Sequence, residues 1–226
     1  MRKACIFDLD GTLAYTLDSM ARPANEVLRG LGLRTLPAEN FRFYCGEGAD
    51  MLVKRCLADA GDQELVHYEE AKRRYRERFA REPLYGVRCY EGMKDALERL
   101  KGQGVRLAVC SNKPHEAAVR VVSSLLPSLF DVVIGQQEGI RRKPAPDALL
   151  LAAGRLGVSP RECIYFGDSG TDMLTGRGAD MLTVGVLWGY RKKEELVEKG
   201  AELLLERPED IPRLYEERKN DQADCQ

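Results

Sequence analysis

Phe7-Asp8-Leu9-Asp10-Gly11-Thr12 closes the apolar run Ala4 to Leu9 and decides how the rest of the chain is read. Side chains two residues apart on a strand point the same way, so Asp8 and Asp10 share one side of its carboxyl end. Two ionised carboxylates about 4 Å apart repel by ~4 kcal/mol at an effective dielectric near 20. Such a pair needs a cation beside it or a proton on one member, and either condition serves catalysis. Gly11 admits an unusual backbone angle or the close approach of a ligand, and Thr12 adds a hydroxyl. Taken alone, the segment is also compatible with an ordinary acidic turn.

Outward from this segment, short apolar runs recur beside turn residues at Arg106 to Ser111, Val132 to Gly135, Cys163 to Gly167 and Thr183 to Leu187. They read as buried strands. Between them lie helical faces: Met93, Ala96, Leu97 and Leu100; then Ala118, Val121, Val122 and Leu125; then Leu149, Ala152, Ala153 and Leu156. Alternating strands and helices predict an α/β fold, a Rossmann-like parallel sheet with right-handed crossovers, and ligands bound at the carboxyl ends of the strands. One stretch breaks the alternation. Residues 15–85 show no strand-like run but three helical ones, with Met20, Ala24, Val27, Leu28 and Leu31 on one face, then Met51 to Ala60, then Glu64 to Phe79. The expectation is a core of residues 1–14 and 86–218, an inserted all-helical domain of residues 15–85, and a polar tail at 219–226. Leu13 to Thr16 and Pro83 to Tyr90 would be the joins, the second carrying Pro83 and Gly86 as breakers.

The 226 residues are 44% hydrophobic and 31% charged, too apolar for a disordered chain. Lys plus Arg number 35 against 36 Asp plus Glu, so no general attraction for nucleic acid or an anionic membrane is expected. The cluster Lys72, Arg73, Arg74, Arg76, Arg78 and Arg81 is interleaved with Glu69, Glu70, Glu77 and Glu82 and reads as a solvated helix face. No apolar run approaches the roughly 18 residues of a membrane span, and Arg2 and Lys3 lead straight into the first strand without a signal-peptide pattern. A cytoplasmic protein is expected, either monomer or homodimer. The seven cysteines are widely spaced and never form CxxC, which favours small buried hydrophobes over disulfides or zinc ligands. His67 and His115 read as surface or helix residues.

Three further segments place chemistry at predicted strand ends. Gly167-Asp168-Ser169-Gly170-Thr171-Asp172 supplies a second acidic pair. Oxygen-only carboxylate ligands without a neighbouring His or Cys suit Mg2+, although Asp168 on its own is equally a cap for the following helix. Val109-Cys110-Ser111-Asn112-Lys113 brings a hydroxyl and an amide, or simply a helix cap before Pro114. Lys143, in Arg141-Arg142-Lys143-Pro144-Ala145-Pro146-Asp147, precedes a proline-started helix whose N-terminus adds positive potential. Acids, a hydroxyl and a cation gathered at one sheet edge describe a site for a magnesium-bound phosphate.

These four segments, in this order, resemble the haloacid dehalogenase-like superfamily, and within it the Mg2+-dependent phosphatases with a helical cap inserted after the first strand. Gly46-Glu47-Gly48-Ala49-Asp50-Met51-Leu52 is similar to the cap loop of phosphoglycolate phosphatase-like members, and Gly185 to Arg191 to their late-strand segment. The resemblance implies that Asp8 is the nucleophile and becomes an aspartyl-phosphate, while Asp10 protonates the leaving oxygen and then serves as base. It implies Mg2+ held by Asp8, the Asp10 main-chain carbonyl and Asp168, with Asp172 as an additional or water-mediated ligand. Phosphate and substrate contacts would come from Thr12, Ser111, Asn112 and Lys143, and from Gly46, Glu47 and Gly48 in the cap. The implied partner is a small phosphorylated metabolite. Ala14-Tyr15-Thr16 departs from the family's frequent xDS. Residues 17–31 lack the His that sugar phosphomutases of the superfamily usually carry on the first cap helix, the runner-up reading. A silent phosphometabolite-binding relative would be expected to have lost an acid, yet Asp8, Asp10, Lys143 and Asp168 are all present.

Overall fold

A computed structural model of the chain describes residues 1–219. Two compact units result: Met1–Tyr15 with Cys89–Gln226, and Thr16–Arg88. The division follows Tyr15 and Arg88, where the sequence reading placed it after residues 14 and 85. Lys219 is tied to the first unit through its carbonyl, which accepts a 2.6 Å hydrogen bond from the Arg2 amide. The rest of the expected tail, 220–226 with Cys225, lies outside the described residues.

In chain order the elements are β1 (Ala4–Phe7), β2 (Ala14–Tyr15), α1 (Leu17–Gly30), α2 (Phe41–Tyr44), α3 (Ala49–Ala60), α4 (Tyr68–Arg81), β3 (Arg88–Cys89), α5 (Met93–Gly102), β4 (Arg106–Pro114) and α6 (His115–Leu125). β5 (Val132–Gln136), α7 (Asp147–Leu156), β6 (Cys163–Gly167), α8 (Gly170–Gly178), β7 (Leu182–Val186), α9 (Lys193–Glu198), β8 (Leu203–Leu205) and α10 (Ile211–Arg218) follow. Six strands form one sheet in the order β5-β4-β1-β6-β7-β8, with each neighbouring pair parallel. β2 and β3 pair in a separate two-stranded sheet. These two short strands and β8 carry no alternation long enough to be read from sequence.

Period-two alternation explains how the sheet is covered. Ala4 and Ile6 of β1, Ala108 and Cys110 of β4, and Cys163 and Tyr165 of β6 pack with Ala148, Leu149, Ala152, Ala153 and Leu156 of α7 in one buried cluster. The small residues let α7 approach the sheet closely. Phe7 points away from that cluster, stacking on Phe166 at 4.7 Å between ring centroids. Asp8 therefore continues the Ala4-Ile6 face, the one covered by α7, and Lys143 lies in the loop that enters α7. Phe7 is in register with Val109 of β4 and Phe166 of β6, so the three chains emerge at one sheet edge.

In the helical unit, Met20, Ala24, Val27 and Leu28 of α1, Leu52, Val53, Cys56 and Leu57 of α3, and Ala71, Tyr75 and Phe79 of α4 are buried. The third helix begins at Tyr68, later than the expected Glu64. Leu65 takes a positive φ of 55°, and the Asp62 carboxylate accepts the Val66 and His67 amides at 2.9 Å each, a local turn that competes with helix. Five basic residues of α4 are paired: Arg73 with Glu77, Arg74 with Glu70 and Lys72 with Glu69 along the helix, Arg76 with Asp50 of α3 and Arg78 with Glu26 of α1. Among the described residues, no helix is long and apolar enough to cross a membrane. None of the six described cysteines is in a disulfide.

Candidate active site

At the carboxyl edge of the central strands, Lys143 is buried with its ammonium 2.6 Å from Asp8 Oδ1, 2.6 Å from Asp172 Oδ1 and 3.1 Å from the Tyr165 hydroxyl. Asp168 joins them. Asp8, Asp168 and Asp172 each bring one carboxylate oxygen to within 4.8 Å of the others. An all-oxygen, buried, anionic set of this kind fits a hard divalent cation such as Mg2+.

The three acids differ in what already holds them. Asp172 is saturated: its Oδ1 accepts from Lys143 and from the Tyr165 hydroxyl at 2.7 Å, its Oδ2 from the Ser169 amide at 3.1 Å and hydroxyl at 2.5 Å. The Ser169 bonds close a capping box at the start of α8. Asp168 accepts from the Tyr190 amide at 2.7 Å and the Thr12 hydroxyl at 3.4 Å, both neutral donors. Asp8 gives Oδ1 to Lys143, and its Oδ2 accepts no hydrogen bond from the described residues.

Burial sets the electrostatics. It pushes the Asp8 carboxyl up to about 7; Lys143 opposes the rise, and Asp172 and Asp10 add to it. Burial also holds Asp168 well above the usual carboxylate range, with Asp172 and Asp8 adding to the shift. Burial works against charge on Lys143, but Asp172 and Asp8 together keep it protonated well into the basic range. Tyr165 is pushed far above an ordinary phenol by burial and by the same two carboxylates, so it serves as a neutral donor.

Asp10 stands apart from the triad. Its carboxylate is gripped by Lys113, whose Nζ lies 2.8 Å from Oδ1 and 3.1 Å from Oδ2. The register between β4 and β5 shifts between Cys110 and Pro114, so Ser111, Asn112 and Lys113 bulge from the strand at the sheet edge. Within the bulge, the Ser111 hydroxyl accepts the Lys113 amide at 3.2 Å.

Two residues expected to contact substrate hold hydrogen bonds to the protein. Asn112 donates to the Lys143 carbonyl at 3.2 Å and accepts from the Lys143 amide at 2.9 Å, so this two-point amide contact positions the lysine main chain. Thr12 is fully buried, its hydroxyl on Asp168 and its carbonyl accepting the Trp188 indole N–H at 2.9 Å. Gly46, Glu47 and Gly48 belong to the helical unit, in the turn into α3. Gly46 and Gly48 have φ of 104° and 87°, and Glu47 pairs with Arg55. His67 sits 3.1 Å from Asp62, and the His115 ring accepts the Gly135 amide at 3.2 Å, both outside the triad.

Lys113, Tyr165, Ser169 and the turn Trp188-Gly189-Tyr190 were given no role from sequence. The close approach in this turn is strict: a Cβ on Gly189 would fall 2.2 Å from the Asp168 Cβ. A Cβ on Gly11, at φ +92°, would meet Asp168 Oδ2 at 2.2 Å. Spacing held one usable signal, since Tyr165 lies two residues beyond Cys163 on the face covered by α7.

Comparison with known proteins gives a consistent picture. The sequence model of a family described as haloacid dehalogenase-like hydrolase matches residues 5–186. A phosphoglycolate phosphatase of Aquifex aeolicus is 30% identical over 215 residues, covering 95% of this chain and 97% of that protein. One of Mannheimia succiniciproducens is 35% identical over 190 residues, covering 81% and 85%. A solved structure of a predicted phosphoglycolate phosphatase from Haemophilus somnus 129pt is similar at a TM-score of 0.86 and 27% identity, covering 94% of this chain and 97% of that one.

Proposed function

The chain belongs to the haloacid dehalogenase-like hydrolases, and from that premise we propose that it hydrolyses a small phosphomonoester of the phosphoglycolate kind through an aspartyl-phosphate on Asp8. It is a phosphoric monoester hydrolase. The observation that carries the mechanism is the division of labour between two aspartates: Asp8 beside Lys143 and two further buried carboxylates, Asp10 beside a different lysine.

Asp8 Oδ2 attacks phosphorus in line as the bond to the leaving oxygen breaks, and its electron pair stays on that oxygen. Asp10 delivers the proton that neutralises it. The product alcohol departs, Asp10 takes a proton from water, and the resulting hydroxide-like oxygen attacks phosphorus, freeing Asp8 and inorganic phosphate. Lys143 and the Ser111 hydroxyl neutralise and orient the equatorial phosphoryl oxygens. Mg2+ held by Asp8, the Asp10 carbonyl and Asp168 would supply charge neutralisation on the same oxygens. Asp172, with both oxygens already engaged by the protein, serves mainly to fix Lys143 and would meet the cation through water. The helical unit is assigned as the cap, with Gly46, Glu47 and Gly48 as its candidates for substrate discrimination, and the protein is assigned to the cytoplasm.

Phosphate release from phosphoglycolate, a panel of small phosphomonoesters and p-nitrophenyl phosphate, with Mg2+ and with EDTA, tests the reading. Turnover is expected only with the cation and is expected to vanish in Asp8→Asn. Undiminished turnover in Asp8→Asn would remove the aspartyl-phosphate.

A further inference from the structure

We propose that Lys113 is a positioning residue for Asp10, and that by locking this carboxyl it sets the range of leaving groups the enzyme can expel; the inference rests on the mechanism above. The Lys113 side chain is 1% exposed and that of Asp10 13%, so the ammonium lies beneath the carboxylate while the carboxylate keeps the outer position. Contacts of 2.8 and 3.1 Å to the two oxygens oppose rotation about the terminal torsion of Asp10, which is otherwise broad and roughly two-fold. Each oxygen uses one lone-pair direction on Lys113 and keeps another for substrate.

The lysine is itself held, because the β4 bulge and the Ser111 contact to its amide fix where its side chain starts. Burying an ammonium without purpose is costly, and Lys143 already serves the Asp8 side of the site. Lys113 thus holds Asp10 while Lys143 holds Asp8 together with Asp172, which keeps the nucleophile and the proton donor from sharing a cation.

Proton delivery matters in proportion to how poorly the leaving oxygen bears charge. An alkyl alkoxide needs the proton as the P–O bond breaks, whereas 2,4-dinitrophenolate leaves without one. General acid catalysis contributes on the order of 10²–10⁴-fold, so a donor that has lost its orientation forfeits part of that range. A lysine that bound the substrate's own carboxylate would matter for phosphoglycolate alone.

The test compares Lys113→Met, Lys113→Gln and Lys113→Arg with wild type on phosphoglycolate, ethyl phosphate and 2,4-dinitrophenyl phosphate. For Lys113→Met, kcat/KM is expected to fall roughly 30- to 100-fold on both alkyl esters and less than about 3-fold on the aryl ester. kcat is expected to fall for all three, because hydrolysis of their common aspartyl-phosphate also uses Asp10. Lys113→Arg, which retains a cation able to span both oxygens, is expected to recover much of the alkyl activity, with Lys113→Gln between. Adding Lys113→Met to Asp10→Asn is expected to cost nothing further in kcat/KM. An equal loss of kcat/KM on all three substrates, including one caused by misfolding in Met, Gln and Arg variants alike, overturns the proposal. So do an absence of loss and a loss confined to phosphoglycolate. If Asp10→Asn separates alkyl from aryl esters and Lys113→Met does not, this inference alone fails; if Asp8→Asn still turns over, the mechanism beneath it fails.

Discussion

Replacing Asp8 by Asn in the metal-free protein is predicted to change the pH dependence of stability in a stated direction. Burial raises the Asp8 carboxyl from 3.8 to about 7, so between those values the folded protein holds a proton that the unfolded chain has released. The native state is favoured by that proton at low pH and loses the advantage as pH rises through about 7. At 1.36 kcal/mol per pH unit the full effect is about 4 kcal/mol, and roughly 2 kcal/mol of it falls between about pH 5.5 and 7.5. Asparagine keeps an acceptor for Lys143 and carries no titratable proton. The stability gap between Asp8→Asn and wild type in EDTA should therefore move by about 2 kcal/mol in favour of the variant over that interval, roughly 4–8 °C in melting temperature for a chain of this size. Mg2+ is expected to reverse the trend for wild type. A cation bound through Asp8 and Asp168 displaces their protons, so its stabilisation, about 2.7 kcal/mol at one hundred times Kd, grows with pH and is largely lost in the variant. Circular-dichroism melts of both proteins at both pH values, with EDTA and with Mg2+, provide the check. A gap that stays constant with pH, or a Mg2+ response equal in the two proteins, would refute the electrostatic reasoning.

Tyr165→Phe removes a hydroxyl that donates to Asp172 at 2.7 Å and accepts from Lys143 at 3.1 Å, and should cost about 1–2 kcal/mol in melting experiments and roughly 10-fold in kcat/KM. Gly11→Ala forces a side chain onto Asp168 at a positive φ; isothermal titration should show Mg2+ affinity reduced by at least about 10-fold. Asp62→Ala should destabilise the entry to α4 by about 1 kcal/mol at neutral pH. The backbone amides and the His67 ring hold the Asp62 carboxyl below the usual carboxylate range, so that contribution is present above about pH 4 and disappears as pH falls through the depressed value, where the two melting curves should converge.

The parts of the site legible in sequence are those written locally. Asp8 and Asp10 are two residues apart, Asp168 and Asp172 lie on one strand-to-helix turn, and a parallel sheet brings the ends of its strands to one edge whatever the chain does between them. What could not be read depends on register. Lys113 meets Asp10 across 103 residues only because β4 bulges between Cys110 and Pro114, and nothing in the composition of Ser111-Asn112-Lys113 marks the bulge. Asn112 shows the same limit from the other side: an amide at a strand end serves substrate or backbone equally well, and only the neighbouring chain, here the main chain at Lys143, decides which. The residues that sequence left silent are thus the ones that hold the others still. Asp172 links the two kinds, because its local motif promised a metal ligand while its four hydrogen bonds make it an anchor for Lys143. A carboxylate so fully engaged still adds charge to the site, and Asp8 and Asp168, held by fewer partners, are expected to contribute more to cation affinity.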